Sequence, residues 1–266
     1  MPVHDANLYK LLTGGFPADA DSTAIEVPAA ARYSWRDLQH ASARIAHWLT
    51  SLGLAPGARV AVQVDKSPEC VMLYLATLRA GLVYLPLNTA YRQTEIAFFL
   101  RDAEPGVVVC APERLQEVQP LAHAAGCRHV VTLGAARDGT LLAAAARFAD
   151  DFETVRRQGD DPASIIYTSG TTGRSKGAVL SHRNLASNAR TLDRAWGFAA
   201  ERSAGRRDTL LHALPLFHVH GLFVALHAAL LAGAKQIWLA RFEAADVLRE
   251  LPRSTVFMGV PTYYTR

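Results

Sequence analysis

Short apolar runs alternate with longer segments of mixed polarity along most of this sequence. The short runs are rich in valine, isoleucine and leucine, which predicts buried strands. The longer segments have helical periodicity and cap signals. This alternation is typical of an α/β fold in which mostly parallel sheets are flanked by helices. The predicted strands are 59–64, 83–85, 107–110, 129–132, 164–167, 210–214, 236–239 and 256–259, and the predicted helices include 94–102, 141–149, 182–196, 221–232 and 243–251.

The helix that follows the first of these strands has the clearest boundaries. Ser67 is a good N-cap, Pro68 suits the first helical position, and Gly81 ends the helix. Residues 71–76 are apolar nearly all round, so this helix should be buried rather than amphipathic.

A glycine-rich segment follows the strand predicted at 164–167 and has the composition of a phosphate-binding loop. Glycines allow left-handed backbone angles and a close approach to a ligand. Successive backbone N–H groups can then line a concavity for an anion. Hydroxyl groups and two cationic side chains add further hydrogen bonds to phosphate oxygens. The candidate phosphate ligands are Thr168, Ser169, Gly170, Thr171, Thr172, Gly173, Arg174, Ser175, Lys176 and Gly177.

The surroundings of this segment favour a ligand-binding loop between two strands. A strand precedes it, a short strand follows it, and Ser181 can cap a helix that reaches about Trp196. The P-loop of NTPases is excluded, because that motif needs Ser or Thr directly after its lysine and Gly177 follows Lys176 in this chain. A glycine- and threonine-rich surface turn remains the alternative.

A histidine-containing segment follows the strand predicted at 210–214. His218 and His220 come after Pro215, at the carboxyl end of a strand, where open α/β sheets bind ligands. His212 lies nearby, so a zinc site is one alternative, but no cysteine or carboxylate in the next few residues completes a ligand set. Core or capping histidines are another. Substrate recognition is the favoured interpretation.

Composition narrows the function classes further. The chain has 266 residues, a formal charge of +4 and 20% charged residues, and its arginines are scattered, so it does not have the concentrated patch of a nucleic-acid-binding protein. No apolar run approaches the roughly 18 residues of a membrane-spanning helix. The first residues lack the pattern of a signal peptide. Cys70, Cys110 and Cys127 form no C-x-x-C pair, which favours a reduced compartment; we expect a cytoplasmic protein without a nucleic-acid or membrane partner.

Both segments resemble signatures of the acyl-adenylate-forming (AMP-binding) synthetases. The glycine-rich segment is similar to the pattern Thr-Ser-Gly-Thr-Thr-Gly-x-Pro-Lys-Gly, with Ser175 at the proline position, and 215–221 is similar to Pro-Leu-Phe-His-Val-x-Gly. Residues 33–38, 80–88 and 258–262 are also similar in sequence to the corresponding segments of the family. Within the family, 85–91, 171–176 and 259–266 look most like malonyl-CoA synthetases.

The resemblance implies an incomplete large N-terminal AMP-binding domain over 1–266. We expect a first α/β layer at 1–155 and a layer carrying the phosphate loop and acyl pocket at 156–266. The segments of the family that supply a Mg²⁺-binding glutamate, a ribose-binding aspartate, the hinge and the small C-terminal domain are missing from this sequence. We therefore expect little activity from this chain by itself and a need for the C-terminal half.

The resemblance also implies roles for individual residues. Ser169, Gly170, Thr171, Thr172, Gly173 and Lys176 would bind the β- and γ-phosphates of ATP, with Thr171 or Thr172 also near Mg²⁺. In the family, the position of His218 lies beside the carboxylate of the acid, and the positions of Val219 and His220 line the acyl pocket. His220 is a donor that can become cationic, which suits an anionic acyl group. Arg241 could add a fixed positive charge, unless it is an ordinary solvated arginine.

The implied activity is an ATP-dependent carboxylic acid–CoA ligase that uses ATP, Mg²⁺ and coenzyme A on a small acid, with malonate or a related dicarboxylate as the substrate. Another acyl-CoA synthetase, for medium-chain or aromatic acids, and a peptide-synthetase adenylation domain are alternatives within the enzyme class. Two alternatives of other classes are a non-catalytic nucleotide-binding module and a structural or regulatory fragment that pairs with a separately encoded remainder.

Overall fold

A computed structural model describes residues 5–168, 175–198, 205 and 207–265. The described residues form two compact units. The first unit contains the described parts of Met1–Asn7 and Gln39–His182, and the second unit contains Leu8–Leu38 and the described parts of Arg183–Arg266. None of the described helices combines the length and the apolar character that crossing a membrane requires.

The predicted alternation of strands and helices is confirmed. The strands are β1 (Thr23–Val27), β2 (Ala31–Ser34), β3 (Arg59–Gln63), β4 (Val83–Pro86), β5 (Val107–Cys110), β6 (His129–Thr132), β7 (Pro162–Thr168), β8 (Lys176–Ser181), β9 (Thr209–His212), β10 (Lys235–Trp238) and β11 (Val256–Phe257). The α-helices are α1 (Leu8–Thr13), α2 (Trp35–Ser51), α3 (Pro68–Arg79), α4 (Gln93–Ala103), α5 (Leu115–Ala124), α6 (Thr140–Ala145), α7 (His182–Ala195), α8 (His227–Ala232) and α9 (Ala244–Glu250).

A mostly parallel sheet forms the centre of the first unit, with strand order β6-β5-β3-β4-β7-β8. Strands β3 to β7 pair in parallel, and β8 pairs antiparallel with β7 at the edge. Helix α3 begins as predicted, because the Ser67 hydroxyl accepts a hydrogen bond from the Cys70 N–H at 3.2 Å. Every residue of α3 except Arg79 is buried, as its apolar surface requires.

The second unit is built on a sheet with strand order β11-β9-β10-β1-β2. Strand β9 pairs in parallel with both β10 and β11, and β10 pairs in parallel with β1. Successive side chains of a strand point to opposite faces. Accordingly, Leu210 packs in a cluster with residues of α8, whereas Leu211 packs in a cluster with Val247 of α9.

The compact units do not coincide with the expected sub-regions 1–155 and 156–266. Residues 8–38 belong to the second unit because β1 pairs with β10, with Ile25 opposite Gln236. Strands β7 and β8 belong to the first unit because β7 pairs with β4.

Some elements differ from their predicted bounds. Helix α6 ends at Ala145, four residues before the predicted end at 149, and β11 is limited to Val256–Phe257. The helix predicted at 221–232 begins with π-helical turns over His220–Leu226, which continue directly into α8. We call His220–Leu226 the π segment.

Candidate functional site

The two strands that flank the glycine-rich segment, β7 and β8, pair antiparallel in the first unit. Thr168 at the end of β7 lies opposite Lys176 at the start of β8. Ser175 is half-buried, and Lys176 and Gly177 are exposed. Among the residues that the structure describes, Lys176 has no ion-pair partner. The candidate ligands Ser169, Gly170, Thr171, Thr172, Gly173 and Arg174 lie outside the described residues.

Strand β7 is fixed to helix α4 just before this turn. The Tyr167 hydroxyl donates a hydrogen bond to the Asp102 carboxylate, and the ring of Tyr167 lies 4.5 Å from that of Phe99, centre to centre. Burial, and then the bond to Asp102, raise the pKa of Tyr167 well above its ordinary value, so the hydroxyl remains a donor. The base of the hairpin is therefore held in place by side-chain contacts within the first unit.

Gly177 lies opposite Tyr167 in the pairing of β8 with β7. A Cβ atom at this position would lie 3.1 Å from Cγ2 of Ile165, closer than ordinary van der Waals contact. A larger residue would therefore require the Ile165 side chain to shift by a few tenths of an ångström.

The second unit contains a cavity of about 350 Å³. We call it the histidine cavity, because an imidazole contributes to a lining that is otherwise mostly apolar or aromatic. The lining residues are Trp196, Phe198, His220, Val256, Phe257, Met258, Gly259 and Tyr264. Ligand pockets usually have volumes of roughly 300–1,000 Å³, so this cavity suits a small molecule. Among the described lining residues, apolar side chains and one imidazole can bind an acid by its carbon chain and its carboxylate.

His218 and Val219 precede the π segment and remain open to solvent. Val219 is 47% exposed. The ring of His218 lies edge-on to that of Phe217, with ring centres 4.6 Å apart. Partial burial lowers the pKa of His218, which favours the neutral imidazole near pH 7. A neutral imidazole can donate to a carboxylate oxygen through one nitrogen without carrying a charge.

His212 has a different place from the other two histidines. It is buried at the end of β9, its ring stacks on that of Trp238 with centres 4.6 Å apart, and its Nε2 donates to the Gly221 carbonyl at 3.0 Å. This matches the core-histidine alternative for His212. In the part of the chain that the structure describes, no three histidine, cysteine or acidic side chains are grouped as a metal site would require.

Arg241 lies on the surface of the second unit. Its Nε is 2.9 Å from Oε1 of Glu243, and its side chain is 82% exposed. It is not among the residues that line the histidine cavity, so the structure brings His220, but not Arg241, to that cavity. The binding role of Arg241 stays a prediction.

Several cavity residues were not selected from the sequence. Met258 and Gly259 belong to the motif at 258–262, which the sequence marked without assigning a role. Trp196 and Phe198 follow α7 and carry no motif, so nothing local indicates that they face a cavity.

Comparison with known proteins establishes the class. The chain belongs to the AMP-binding enzyme family, whose sequence pattern matches residues 17–266. Among curated relatives, it is 34% identical over 227 residues to a malonate–CoA ligase of Arabidopsis thaliana. The aligned residues cover 80% of this chain and 36% of the relative. It is 31% identical over 234 residues to an oxalate–CoA ligase of the same plant, covering 85% of this chain and 44% of the relative.

A solved structure confirms the fold. ATP-bound MatB from Rhodopseudomonas palustris superposes with a TM-score of 0.91 at 47% identity, covering 98% of this chain and 50% of MatB. The resemblance to the synthetases and the α/β fold class are thus confirmed. The chain spans about half the length of MatB and 36% and 44% of the two curated relatives.

Proposed function

We propose that this chain supplies the phosphate-binding hairpin and the acid-binding cavity of an ATP-dependent carboxylic acid–CoA ligase, with malonate as the acid. One carboxylate oxygen of malonate attacks the α-phosphorus of ATP. The bond to the bridging oxygen breaks, pyrophosphate leaves, and a malonyl-adenylate forms. The thiolate sulfur of coenzyme A then attacks the acyl carbon and displaces AMP, which gives the thioester.

The observation that carries this proposal is the pairing of Thr168 with Lys176 at the base of the glycine-rich turn. An exposed ammonium at the mouth of a loop rich in N–H and hydroxyl donors supports binding of a polyphosphate. Nucleotidyl transfer relies on positioning and on neutralising negative charge, which such a loop provides. Thr168, Ser175, Lys176 and Gly177, with residues 169–174, form the proposed ATP-binding segment.

The choice of a short dicarboxylate rests on the histidine cavity. Among the described lining residues, His220 places a polar, potentially cationic group beside apolar and aromatic side chains. The names of two relatives, malonate–CoA ligase and oxalate–CoA ligase, both specify short dicarboxylates. We propose that His220 binds the distal carboxylate, that Val219 borders the acyl group, and that Arg241 contributes positive charge.

His218 is proposed to orient the reacting carboxylate. Its lowered pKa keeps it neutral, so it can donate one hydrogen bond without holding the nucleophile in a tight ion pair. Mg²⁺ bound with ATP would neutralise phosphate charge. Thr171 and Thr172, the residues proposed to lie near it, are outside the described residues, and the roles proposed for Lys176, His218 and His220 do not depend on the metal.

A second candidate within the enzyme class is a ligase for a monocarboxylic acid. The observation in its favour is that the other lining residues of the histidine cavity are apolar, aromatic or glycine. Cytoplasm remains the expected compartment, although one relative, from mouse, is named as a mitochondrial malonate–CoA ligase.

Acid-dependent exchange of pyrophosphate into ATP tests the proposal. The full-length gene product is assayed with malonate, oxalate, propionate and octanoate, and this chain is assayed in parallel. We expect malonate to give the highest rate with the full-length protein and this chain to give little or none. Highest exchange with propionate or octanoate would favour the second candidate, and ATP binding without exchange for any acid would favour a non-catalytic module.

A further inference from the structure

The π segment is stabilised by side chains from two other elements of the second unit. His212 donates from Nε2 to the carbonyl of Gly221 at 3.0 Å, and Asn188 of α7 donates from Nδ2 to the carbonyl of Phe223 at 3.1 Å. π-Helical turns are rare and are frequently found at functional sites. Two carbonyls of this short π segment are thus bound by donors outside the helix.

Both donors are well placed for this task. His212 is 1% exposed and lies in register with Trp238 across the β9–β10 pair, and their rings are stacked. A carbonyl oxygen only accepts, so Nε2 of His212 carries the proton of this bond. Asn188 is an exposed residue of α7, and its side-chain amide donates to the π segment from this separate element.

Gly221 makes the close approach possible. A Cβ atom on Gly221 would lie 2.0 Å from the carbonyl oxygen of Pro215, which no real side chain could tolerate. The first π turn therefore packs directly against the backbone that follows β9. His220, which lines the cavity, immediately precedes this contact.

We propose that His212 and Asn188 are positioning residues for acid recognition: by binding the Gly221 and Phe223 carbonyls they fix the π segment so that the His220 imidazole faces the cavity. The malonate-binding part of this inference rests on the function proposed above. The orientation of His220 does not, and it can be measured without a ligand.

Three variants of this chain and one matched control separate positioning from packing. His212→Phe keeps an aromatic ring against Trp238 but removes the donor. His212→Gln restores a donor at a similar reach. Asn188→Ala removes the second donor, and Ser187→Ala, on the exposed side of the same helix, is its matched control.

The main readout is the Cε1–Hε1 NMR signal of His220, assigned from the spectrum of His220→Asn. We expect this signal to move in His212→Phe and Asn188→Ala and to keep its position in His212→Gln and Ser187→Ala. Titration with malonate should give about tenfold weaker binding for His212→Phe and less than threefold weaker binding for His212→Gln, the scale of one lost hydrogen bond. ATP affinity should not change in any variant.

Each outcome decides the inference. An unmoved His220 signal in a folded His212→Phe, or equal effects of the Phe and Gln substitutions, would overturn it for His212. If His212→Phe does not fold, an unmoved signal in Asn188→Ala overturns it. If the unsubstituted chain binds ATP but not malonate, the acid assignment fails, and the ligand-free His220 signals still decide whether the two donors orient this side chain.

Discussion

Thr168 and Lys176 are direct partners across the antiparallel pair of β7 and β8. Side chains of directly opposed residues lie on the same face of a hairpin. The register of the hairpin therefore sets the face on which the ammonium lies, and a slip of one residue would move Lys176 to the opposite face. The bond from Tyr167 to Asp102 fixes β7 to helix α4 next to this pair. The position of the cation thus follows from strand pairing as well as from the composition of the turn.

Replacing Lys176 by alanine should weaken ATP binding by about 1.5–3 kcal/mol, the scale of a hydrogen bond to a charged group. This corresponds to about a tenfold to hundredfold increase in Kd. Isothermal titration of the chain with ATP measures the effect. Lys10→Ala, at an exposed lysine of α1 in the second unit, is the control and should leave the affinity unchanged. Equal Kd values for Lys176→Ala and the unsubstituted chain would refute the phosphate role.

Replacing His220 by leucine should change the preferred acid. The variant loses the donor that faces the cavity and gains apolar surface, so malonate should be activated at least about tenfold less well relative to propionate. The ratio of the two kcat/KM values in the pyrophosphate exchange assay of the full-length gene product measures the change. Met258→Leu, also in the cavity lining, conserves volume and charge and should keep the original ratio. A malonate preference that survives His220→Leu would assign the distal carboxylate to another group, with Arg241 the next to substitute.

Local sequence signals predicted most of the fold. Ser67, Pro68 and Gly81 mark the bounds of α3, and the apolar run at 107–110 is buried β5, because caps and short apolar runs act within a few residues. Strand β1 was missed. It pairs antiparallel with its neighbour β2 and in parallel with β10, where Ile25 lies opposite Gln236, more than two hundred residues away. The distant partner leaves no signal in the sequence around β1.

The candidate site shows the same division between local and distant causes. The strands on either side of the glycine-rich segment could be predicted from composition, and the motif marked His220, which lines the histidine cavity. The π segment was predicted only as an ordinary helix, because its hydrogen bonds depend on His212 and Asn188, which lie in other elements. The exposed ion pair of Arg241 with Glu243 is local, since the two residues are only two positions apart, but it was not predicted from the sequence.

Mild acid should destabilise both units through buried histidines. Burial lowers the pKa of His182 in the first unit from 6.5 to about 4 and that of His227 in the second unit from 6.5 to about 3. Above pH 6.5 both histidines are mostly neutral in the folded and in the unfolded chain, so the free energy of unfolding does not depend on their titration. Below it, only the unfolded chain binds the proton, so the free energy of unfolding falls by up to about 1.4 kcal/mol per pH unit for each histidine.

Urea unfolding at pH 7.5 and 5.0 measures this loss, which should reach about 2 kcal/mol for each histidine. His182→Gln should flatten the pH dependence of the first unit. His123→Gln, at an exposed histidine of α5, should not change it. An unfolding free energy that stays constant from pH 7.5 to 5.0 would show that the two imidazoles are not held neutral in the folded chain.

Glu26 should also stabilise the second unit, and this stabilisation should be lost at a lower pH than the one at which the buried histidines act. Its Oε2 lies 2.5 Å from Nζ of Lys235 and its Oε1 lies 2.5 Å from Nη2 of Arg253, so the carboxylate joins β1, β10 and the turn after α9. Hydrogen bonds from Lys235 and then Arg253 lower the pKa of Glu26 from 4.5 to about 2. The stabilisation is therefore complete above pH 4.5 and is lost as the pH falls towards 2.

Glu26→Gln removes the charge but keeps the shape, and should lower the free energy of unfolding at pH 7 by about 2–3 kcal/mol. Glu243→Gln is the matched control, because its pair with Arg241 is exposed and should contribute less than about 1 kcal/mol. The difference between Glu26→Gln and the unsubstituted chain should shrink between pH 4.5 and 2, as the native carboxylate takes up its own proton. If the two glutamine variants were equally stable at pH 7, the buried ion pairs of Glu26 would contribute no more than a surface pair, and the acid sensitivity of the second unit would be due mainly to His227.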